Sequence, residues 1–494
     1  MSNTVRKILA AALAALMLGG FTACGEQAES PVPEQPQAEP ETAAETEPET
    51  EFRYRADYLP EVNYGGYTFK IFAYDEYPAD QQEETGNLIN DAIYQRNRLV
   101  EEQYGIVIAE TRLPYARYGD VYEQLKKSAL AQSDDQDLYT VVFPNAYSGI
   151  NEKVIPVASS FPVIDPAQPW YCRQINDGMV IDGIMLVAYT AFDKNPGGKL
   201  IAFNKRIVTD LSLDSPYALV DEGTWTYDRF YAMGSQAAAD LNGDGQRTEE
   251  DRFGIIAPID DLTDLAYYGS GLKLVNFTEG IPEISQDERL FDVFDRMYAF
   301  MSDGVSVFNV SAAYGMSTES NNKGLLLFKS GAALFTTMWT TTLTQMGDME
   351  DDYGVVTYPK FSEDQKSYYN GIDGSRIALP SVAAADLERT CVIKEALSVE
   401  SMNINYPAYY EISLKNRYVR DEDSVRMLEI ITKANYYDVG AALDYNAIRG
   451  PWLNCLQKGS TDFVSSVTKN LKVAQKAIDK LIESTDAIRA EIGG

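Results

Sequence analysis

From Gly25 to Phe52 the chain is built almost entirely of Glu, Pro, Ala, Thr and Gln, with no apolar periodicity and with like charges repeated every few positions. Such a segment cannot bury enough apolar surface to offset the entropy lost on ordering. Proline keeps it extended and carboxylate repulsion stretches it further, so it reads as a tether. Ahead of it lie a basic start at Arg6 and Lys7 and an apolar run from Ile8. That run is too short to span a bilayer comfortably and has the layout of an export signal. Everything able to fold therefore lies beyond the tether, in a body of roughly 440 residues, more than one hydrophobic core usually serves. Two lobes are expected.

The junction between signal and tether, Phe21-Thr22-Ala23-Cys24, resembles a bacterial lipobox, with Phe21 departing from the usual Leu. Residues 1–23 are then a lipoprotein signal peptide, and residues 24–60 comprise a lipidated Cys24 and a disordered acidic tether. The expected location is the cell membrane, lipid-anchored, on the extracellular face.

Composition excludes whole classes of function. The formal charge of -32 leaves no Lys and Arg clusters to meet phosphates, so nucleic acid is not a partner. The chain has no histidine, which removes the commonest general base, the commonest transition-metal ligand and every Ser-His or Cys-His arrangement. A two-carboxylate glycosidase survives that test, but no pair stands out. Cys172, Cys391 and Cys455 are widely spaced and form no CxxC pair; one disulfide among them is open, and burial as small apolar residues is the more economical account for all three. The 33 tyrosines carry an apolar face and a polar tip, which suits wet grooves as well as cores.

Hydrophobic periodicity in the body alternates between strand and helix. Tyr67 to Tyr74, Ile106 to Thr111 and Leu138 to Phe143 read as strands, with helices over Leu88 to Tyr104 and Val121 to Ala131 between them. This is a βαβαβ opening with a mostly parallel sheet. Ligands in such sheets bind beyond the carboxyl ends of the strands, near Tyr74 to Tyr77 and Pro144 to Tyr147. Ile184 to Thr190 and Leu200 to Asn204 read as further strands. Thr226 is a plausible N-cap for a following helix, with Trp225 and Phe230 as a hydrophobic staple.

That helix runs into Asp240-Leu241-Asn242-Gly243-Asp244-Gly245-Gln246-Arg247-Thr248-Glu249-Glu250-Asp251. Oxygens at alternating positions, glycine at the sixth and the Gln246 carbonyl at the seventh match a calcium loop. Asp240, Asn242, Asp244 and Gln246 would supply oxygens, with Glu249 or Asp251 closing the site in place of the usual bidentate Glu. A single unpaired loop fits a structural clip better than a sensor.

These residues, with Asn90-Asp91-Ala92-Ile93-Tyr94-Gln95-Arg96-Asn97, Phe203-Asn204-Lys205, Gly223-Thr224-Trp225-Thr226, Arg252-Phe253-Gly254-Ile255, Phe328-Lys329-Ser330-Gly331-Ala332-Ala333 and Tyr353-Gly354-Val355-Val356, resemble the extracellular solute-binding lipoproteins of bacterial ABC importers, family 1, the carbohydrate type. The resemblance implies a two-lobed periplasmic-binding-protein-like fold of type II, α/β in class. It also implies a hinge, with solute in the cleft and ABC permease transmembrane subunits as partners. On this reading residues 61–200 begin lobe 1, 201–350 form lobe 2 with the calcium loop, 351–400 return to lobe 1, and 401–494 are a helical region spanning both lobes. Tyr353 to Tyr358 and Arg376 to Leu379 would be the returning strands.

Sugar rings need flat aromatic faces and hydroxyls need planar polar groups on cleft loops. Trp170, Trp339 and Trp452 lie outside obvious helix stripes, and Asp193 and Asp373 sit in glycine-flanked loops, with Tyr74 and Tyr369 as weaker candidates. The expectation is a non-enzymatic binding protein for a small solute, most simply an oligosaccharide. The alternatives are a surface glycan adhesin or sensor without a transporter, and a calcium-dependent carbohydrate-active enzyme.

Overall fold

Two separate sheets organise the body, and the chain visits each more than once. The computed structural model describes residues 53–74, 81–114, 117–193, 198–371, 376–409, 420–436, 438, 440 and 449–492. The signal, Cys24 and the tether through Phe52 lie outside these residues, as does Asp373, while residues 53–60, expected as the end of the tether, belong to the body, with Tyr54 and Ala56 packed on its core. Arg53–Gly494 forms one compact unit.

The first sheet is assembled from β1 (Tyr67–Tyr74), β2 (Ile106–Leu113), β3 (Leu138–Val142) and β14 (Arg376–Leu379), in the order β14-β3-β1-β2. β1 pairs in parallel with both β2 and β3, while β14 is antiparallel to β3. The βαβαβ opening is therefore as expected, with α1 (Leu88–Tyr104) and α2 (Tyr118–Ala131) as the crossovers. Alternate β1 residues Phe69, Ile71 and Ala73 point into the core, as the two-residue period of a strand requires. α1 starts where the Asn87 side chain accepts from the amides of Ile89 and Asn90. It stops at Gly105, whose φ of 60° suits glycine and where a Cβ would stand 2.3 Å from Asn63 Oδ1. α3 (Phe143–Asn151) follows β3 directly.

Between the sheets the chain makes a small hairpin, β4 (Val180–Ile181) and β5 (Ile184–Met185). The expected strand over Ile184 to Thr190 is reduced to its first two residues. The apolar run that suggested it is instead buried irregular chain, with Leu186, Val187 and Tyr189 in the first core.

The second sheet has the order β10-β7-β11-β6-β12. Its strands are β6 (Lys199–Asn204), β7 (Phe253–Ala257), β10 (Val307–Asn309), β11 (Ala333–Trp339) and β12 (Tyr353–Val356). β6 runs antiparallel to β11 and β12, and β7 runs parallel to β10 and β11. β12 corrects the expected return: Tyr353–Val356 stays in the second sheet beside β6, and only β14 rejoins the first. Sequence periodicity reports that a strand exists but not which distant strand it will pair with.

Around this sheet lie α4 (Tyr227–Ala237), α5 (Ile259–Gly269), α6 (Arg289–Met301) and α7 (Thr318–Lys329), with the hairpin β8 (Val275–Thr278) and β9 (Ile281–Ile284). The Thr226 hydroxyl caps α4 by accepting from the Arg229 amide, and Trp225 meets Phe230 edge to face at 5.8 Å. Trp225 is fully buried, with its indole N–H donated to the Thr357 carbonyl at 2.9 Å. β13 (Asn370–Gly371) pairs with β15 (Asn435–Tyr436).

Towards the carboxyl end come α8 (Leu387–Glu400), α9 (Glu422–Lys433), α10 (Arg449–Lys458) and α11 (Phe463–Ile492). α8 packs in the first lobe through Val392, Ile393, Ala396 and Leu397, widens into a π-helical turn over Ser401–Asn405, and delivers Tyr409 to the second core. α11 belongs to both lobes, with Phe463, Val467, Ala474 and Ile478 in the second core and Leu481 in the first. Cys172, Cys391 and Cys455 are buried free thiols. Among the described residues no helix is long and apolar enough to cross a membrane.

Candidate functional site

Strand directions put the carboxyl ends of β7, β10, β11 and β12 along one edge of the second sheet. The start of antiparallel β6 lies there too, because Trp339 pairs with Lys199. Asn370 is fixed at this edge, its side-chain oxygen accepting from the Thr357 hydroxyl at 2.9 Å and the Tyr358 amide at 2.8 Å. In the first sheet the carboxyl ends of β1, β2 and β3 share an edge with Arg376, which pairs with Val142. Only four residues, 372–375, separate Gly371 from Arg376, so five chain links span at most about 18 Å. The two carboxyl edges must therefore lie close together. That is where open α/β sheets bind ligands.

The second edge carries a built polar cluster. Lys199 Nζ is buried between Asp261 Oδ1 at 2.7 Å and Asp264 Oδ2 at 2.5 Å, both on α5. These acids are three residues apart and so share one helix face. Asp261 also lies in the first turn of α5, where the helix dipole favours negative charge. Thr337 of β11 donates its hydroxyl to Asp261 Oδ2 at 3.2 Å. Burial works against the Lys199 charge, but the two aspartates outweigh it and hold the ammonium above its ordinary pKa. The same ammonium sits 4.8 Å from the centre of the Trp339 ring. Trp339 is half-buried, held on one side by this cation and leaving part of its surface uncovered. The next residue, Thr340, shares a hydrogen bond of 3.1 Å with the Tyr409 hydroxyl. The arrangement offers an aromatic face, a carboxylate acceptor and an ammonium donor in a rigid frame.

On the first edge Tyr74 ends β1, nearly buried and packed edge to face on Tyr118 at 6.0 Å. Tyr118 opens α2 and is 43 % exposed, which makes it the more available ring.

Three of the expected ligand residues are structural. Trp170 is 2 % exposed and donates its indole N–H to Glu395 Oε1 at 2.7 Å. Glu395 also accepts from the hydroxyls of Tyr58 and Tyr171; burial raises its pKa while these donors oppose the rise. Asp193 is buried against the Lys394 ammonium at 3.0 Å and the Ala378 amide at 2.8 Å, joining a loop to α8 and β14. Trp452 is fully buried between Phe294 and Phe463. Each lies in a loop or helix whose burial is created by distant partners. Tyr369 is half-buried, with its ring 2.8 Å from where a Cβ on Gly271 would stand. Trp339 is the expected residue that the fold brings to a sheet edge with polar company. Lys199 and Asp261 join it there, and Tyr118 stands at the first edge, without any local motif that would single them out.

The loop over residues 240–251 is an interlocked turn. Asp240 accepts from the amides of Gly243 at 2.7 Å and Gly245 at 2.9 Å, Asn242 from Asp244 at 3.0 Å, and Asp244 from Gln246 at 2.7 Å. Gly243 and Gly245 both have positive φ. Asp251 is buried and accepts from Leu241 and Thr248 at 3.0 and 2.8 Å, and the Thr248 amide, more than any other group, lowers its pKa. Glu249 accepts from the Tyr314 hydroxyl through one oxygen, so both candidate closing acids are already hydrogen-bonded within the fold. The donors are of the right type for calcium, and amides occupy one lone pair of both Asp240 oxygens, Asn242 Oδ1, Asp244 Oδ1 and both Asp251 oxygens while another remains. Among the described residues no three acidic or thiol groups stand close enough to hold a metal ion, so binding would have to draw these carboxylates together.

No protein-family model matches the chain, and no curated protein matches it in sequence. Solved structures match its fold. An ABC substrate-binding protein from Listeria monocytogenes in complex with cycloalternan superposes with a TM-score of 0.54 at 12 % identity, covering 85 % of this chain and 99 % of its own. A maltose/maltodextrin-binding domain from Bdellovibrio bacteriovorus bound to maltotriose gives 0.54 at 13 % identity, with 84 % and 100 % covered. A cyclic alpha-maltosyl-1,6-maltose binding protein from Arthrobacter globiformis gives 0.55 at 12 %, with 85 % and 99 % covered. The body has the two-lobed α/β fold of these binding proteins.

Proposed function

We propose that the protein is a non-enzymatic, extracellular solute-binding lipoprotein of an ABC importer. It captures an oligosaccharide between the carboxyl edges of its two sheets and delivers it to the permease. The observation that carries this reading is the half-buried Trp339 ring at the second edge, framed by Lys199 and Asp261. A flat apolar face beside a carboxylate and an ammonium suits a sugar ring and its hydroxyls. Two of the fold neighbours are complexes with cycloalternan and with maltotriose, which supports the same reading. Lipid attachment at Cys24 and calcium held by Asp240, Asn242, Asp244, the Gln246 carbonyl and Asp251 belong to the same proposal.

Titration calorimetry with linear and cyclic maltooligosaccharides and with oligopeptides tests it. Binding by one sugar class, weakened about tenfold or more by Trp339→Ala and without product formation, is the expected result. Binding untouched by Trp339→Ala would move the site elsewhere. Binding of peptides alone would replace the solute class, and sugar turnover would replace the binding protein with an enzyme.

A further inference from the structure

The two lobes also touch where no cleft residue is involved. The hairpin β4–β5 of the first lobe turns at Asp182 and Gly183, with φ of 45° and 82°, and β8–β9 of the second turns at Glu279 and Gly280, with φ of 53° and 84°. Positive φ at both central residues gives each a tight two-residue tip. The tips meet end to end: the Asp182 amide donates to the Gly280 carbonyl at 3.0 Å. A Cβ on Gly280 would stand 3.6 Å from the Asp182 backbone, so the approach is close. Arg489, near the end of α11, clamps the junction by donating to the Asp182 carbonyl at 2.8 Å and pairing with its carboxylate at 2.5 Å.

The helix that carries Arg489 gives this contact its mechanical meaning. α11 runs 30 residues without Gly or Pro through both cores, and its foot is held on the first lobe by Leu481 and a Lys153–Glu491 pair. A helix of this length is about 45 Å of stiff rod with no device for a sharp kink. The lobes cannot part freely on the side it spans, but a single backbone bond between two narrow tips permits rotation. We propose that the Asp182–Gly280 contact, clamped by Arg489, is the pivot on which the lobes turn and that it sets their resting angle. The inference rests on the two-lobed fold and not on the identity of the solute.

Interlobe distances measured by spin-label pulsed resonance on the full chain in detergent test it. Labels go on cysteines placed at the exposed positions Val107 and Leu326 in a chain carrying Cys24→Ser, where the three buried native thiols do not compete. Arg489→Ala removes the clamp, and Asp182→Gly removes the carboxylate while keeping a turn residue that tolerates positive φ. Both side chains are substantially exposed, so folding should survive and the unfolding midpoints should stay near wild type. Each variant should broaden the distance distribution and move its mean by about 4 Å, a turn of about 5° at the end of a 45 Å arm. Lys323→Ala, which removes an ion pair within the second lobe, should do neither. Distributions unchanged in both pivot variants would overturn the proposal.

Discussion

Lys199→Met isolates the energetics of the candidate site from its ligand. The methionine stem fills most of the lysine volume, so the change removes chiefly the charge. Asp261 and Asp264 then face each other across a buried gap, with side chains 17 % and 9 % exposed, and lose their shared counter-ion. Removing one partner of a buried ion pair costs about 3–5 kcal/mol, because the charge left behind has neither water nor a mate. Trp339 also loses a cation–π contact of about 0.5–2 kcal/mol. Urea unfolding followed by tryptophan fluorescence reads the right region, since Trp225, Trp339 and Trp452 of the chain's four tryptophans lie in the second lobe. With a slope of about 2–3 kcal/mol per molar for a lobe of this size, the midpoint should fall by about 1–2 M. Adding Asp261→Asn and Asp264→Asn to Lys199→Met should recover more than half of that loss. A midpoint within about 0.2 M of wild type for Lys199→Met, or no recovery in the triple variant, would refute the claim that the cluster is a desolvated charge network.

Glu395→Ala should cost about 3 kcal/mol or more, since it orphans the donors of Tyr58, Trp170 and Tyr171, whereas Glu395→Gln should cost about half as much by keeping an acceptor. Burial raises the Glu395 pKa, so the native state binds its proton more tightly than the unfolded chain. The stability this supplies at acid pH is lost as pH rises through the folded value above 4.5, and that part of the slope should vanish in Glu395→Gln under urea titration at stepped pH. Gly254→Ala should destabilise the second lobe by about 1–3 kcal/mol, because its Cβ would stand 2.4 Å from the Gly234 carbonyl oxygen, while Gly347→Ala, with open space around it, should be neutral. Calcium should raise the unfolding midpoint over that in chelator, by about 2.7 kcal/mol at a hundred times its dissociation constant, and Asp251→Ala should abolish the difference. Equal midpoints with calcium and with chelator would make the loop a turn.

Local features were legible because local physics fixes them. The βαβαβ opening follows from periodicity, the Thr226 cap and Trp225 staple from spacing, and the positive φ of Gly245 from its sixth place in the 240–251 loop. The two-lobed fold was reached through resemblance as well as chain length. What stayed hidden depends on pairing at a distance. Nothing in Tyr353–Val356 says that it pairs with β6, and nothing in the loops around Trp170 and Asp193 says that Glu395 and Lys394 will come to meet them. The Lys199 cluster draws on residues 199, 261, 264, 337 and 339, whose meeting is a property of the sheet rather than of any window of sequence.

The same physics changes the meaning of the tyrosines. With 74 acidic residues against 42 basic ones, cations are too few to pair with every carboxylate. A buried carboxylate must still be hydrogen-bonded, and without histidine the phenol is the donor of choice on an otherwise apolar side chain. Tyr67 donates to Asp137, Tyr139 to Asp135, Tyr267 to Asp438, and Tyr58 and Tyr171 to Glu395. Each of these rings is committed to a carboxylate, and burial raises the pKa of Tyr58, Tyr67, Tyr139 and Tyr171 in turn. A high aromatic count in an acidic, histidine-free chain is therefore weak evidence for a sugar groove. Rings that could stack on a ligand are those whose carboxylate neighbours are already satisfied from elsewhere. Trp339 meets that condition, because Lys199 and Thr337 serve Asp261, and with Lys199 over one face of the indole the uncovered part of the half-buried ring is left for something else.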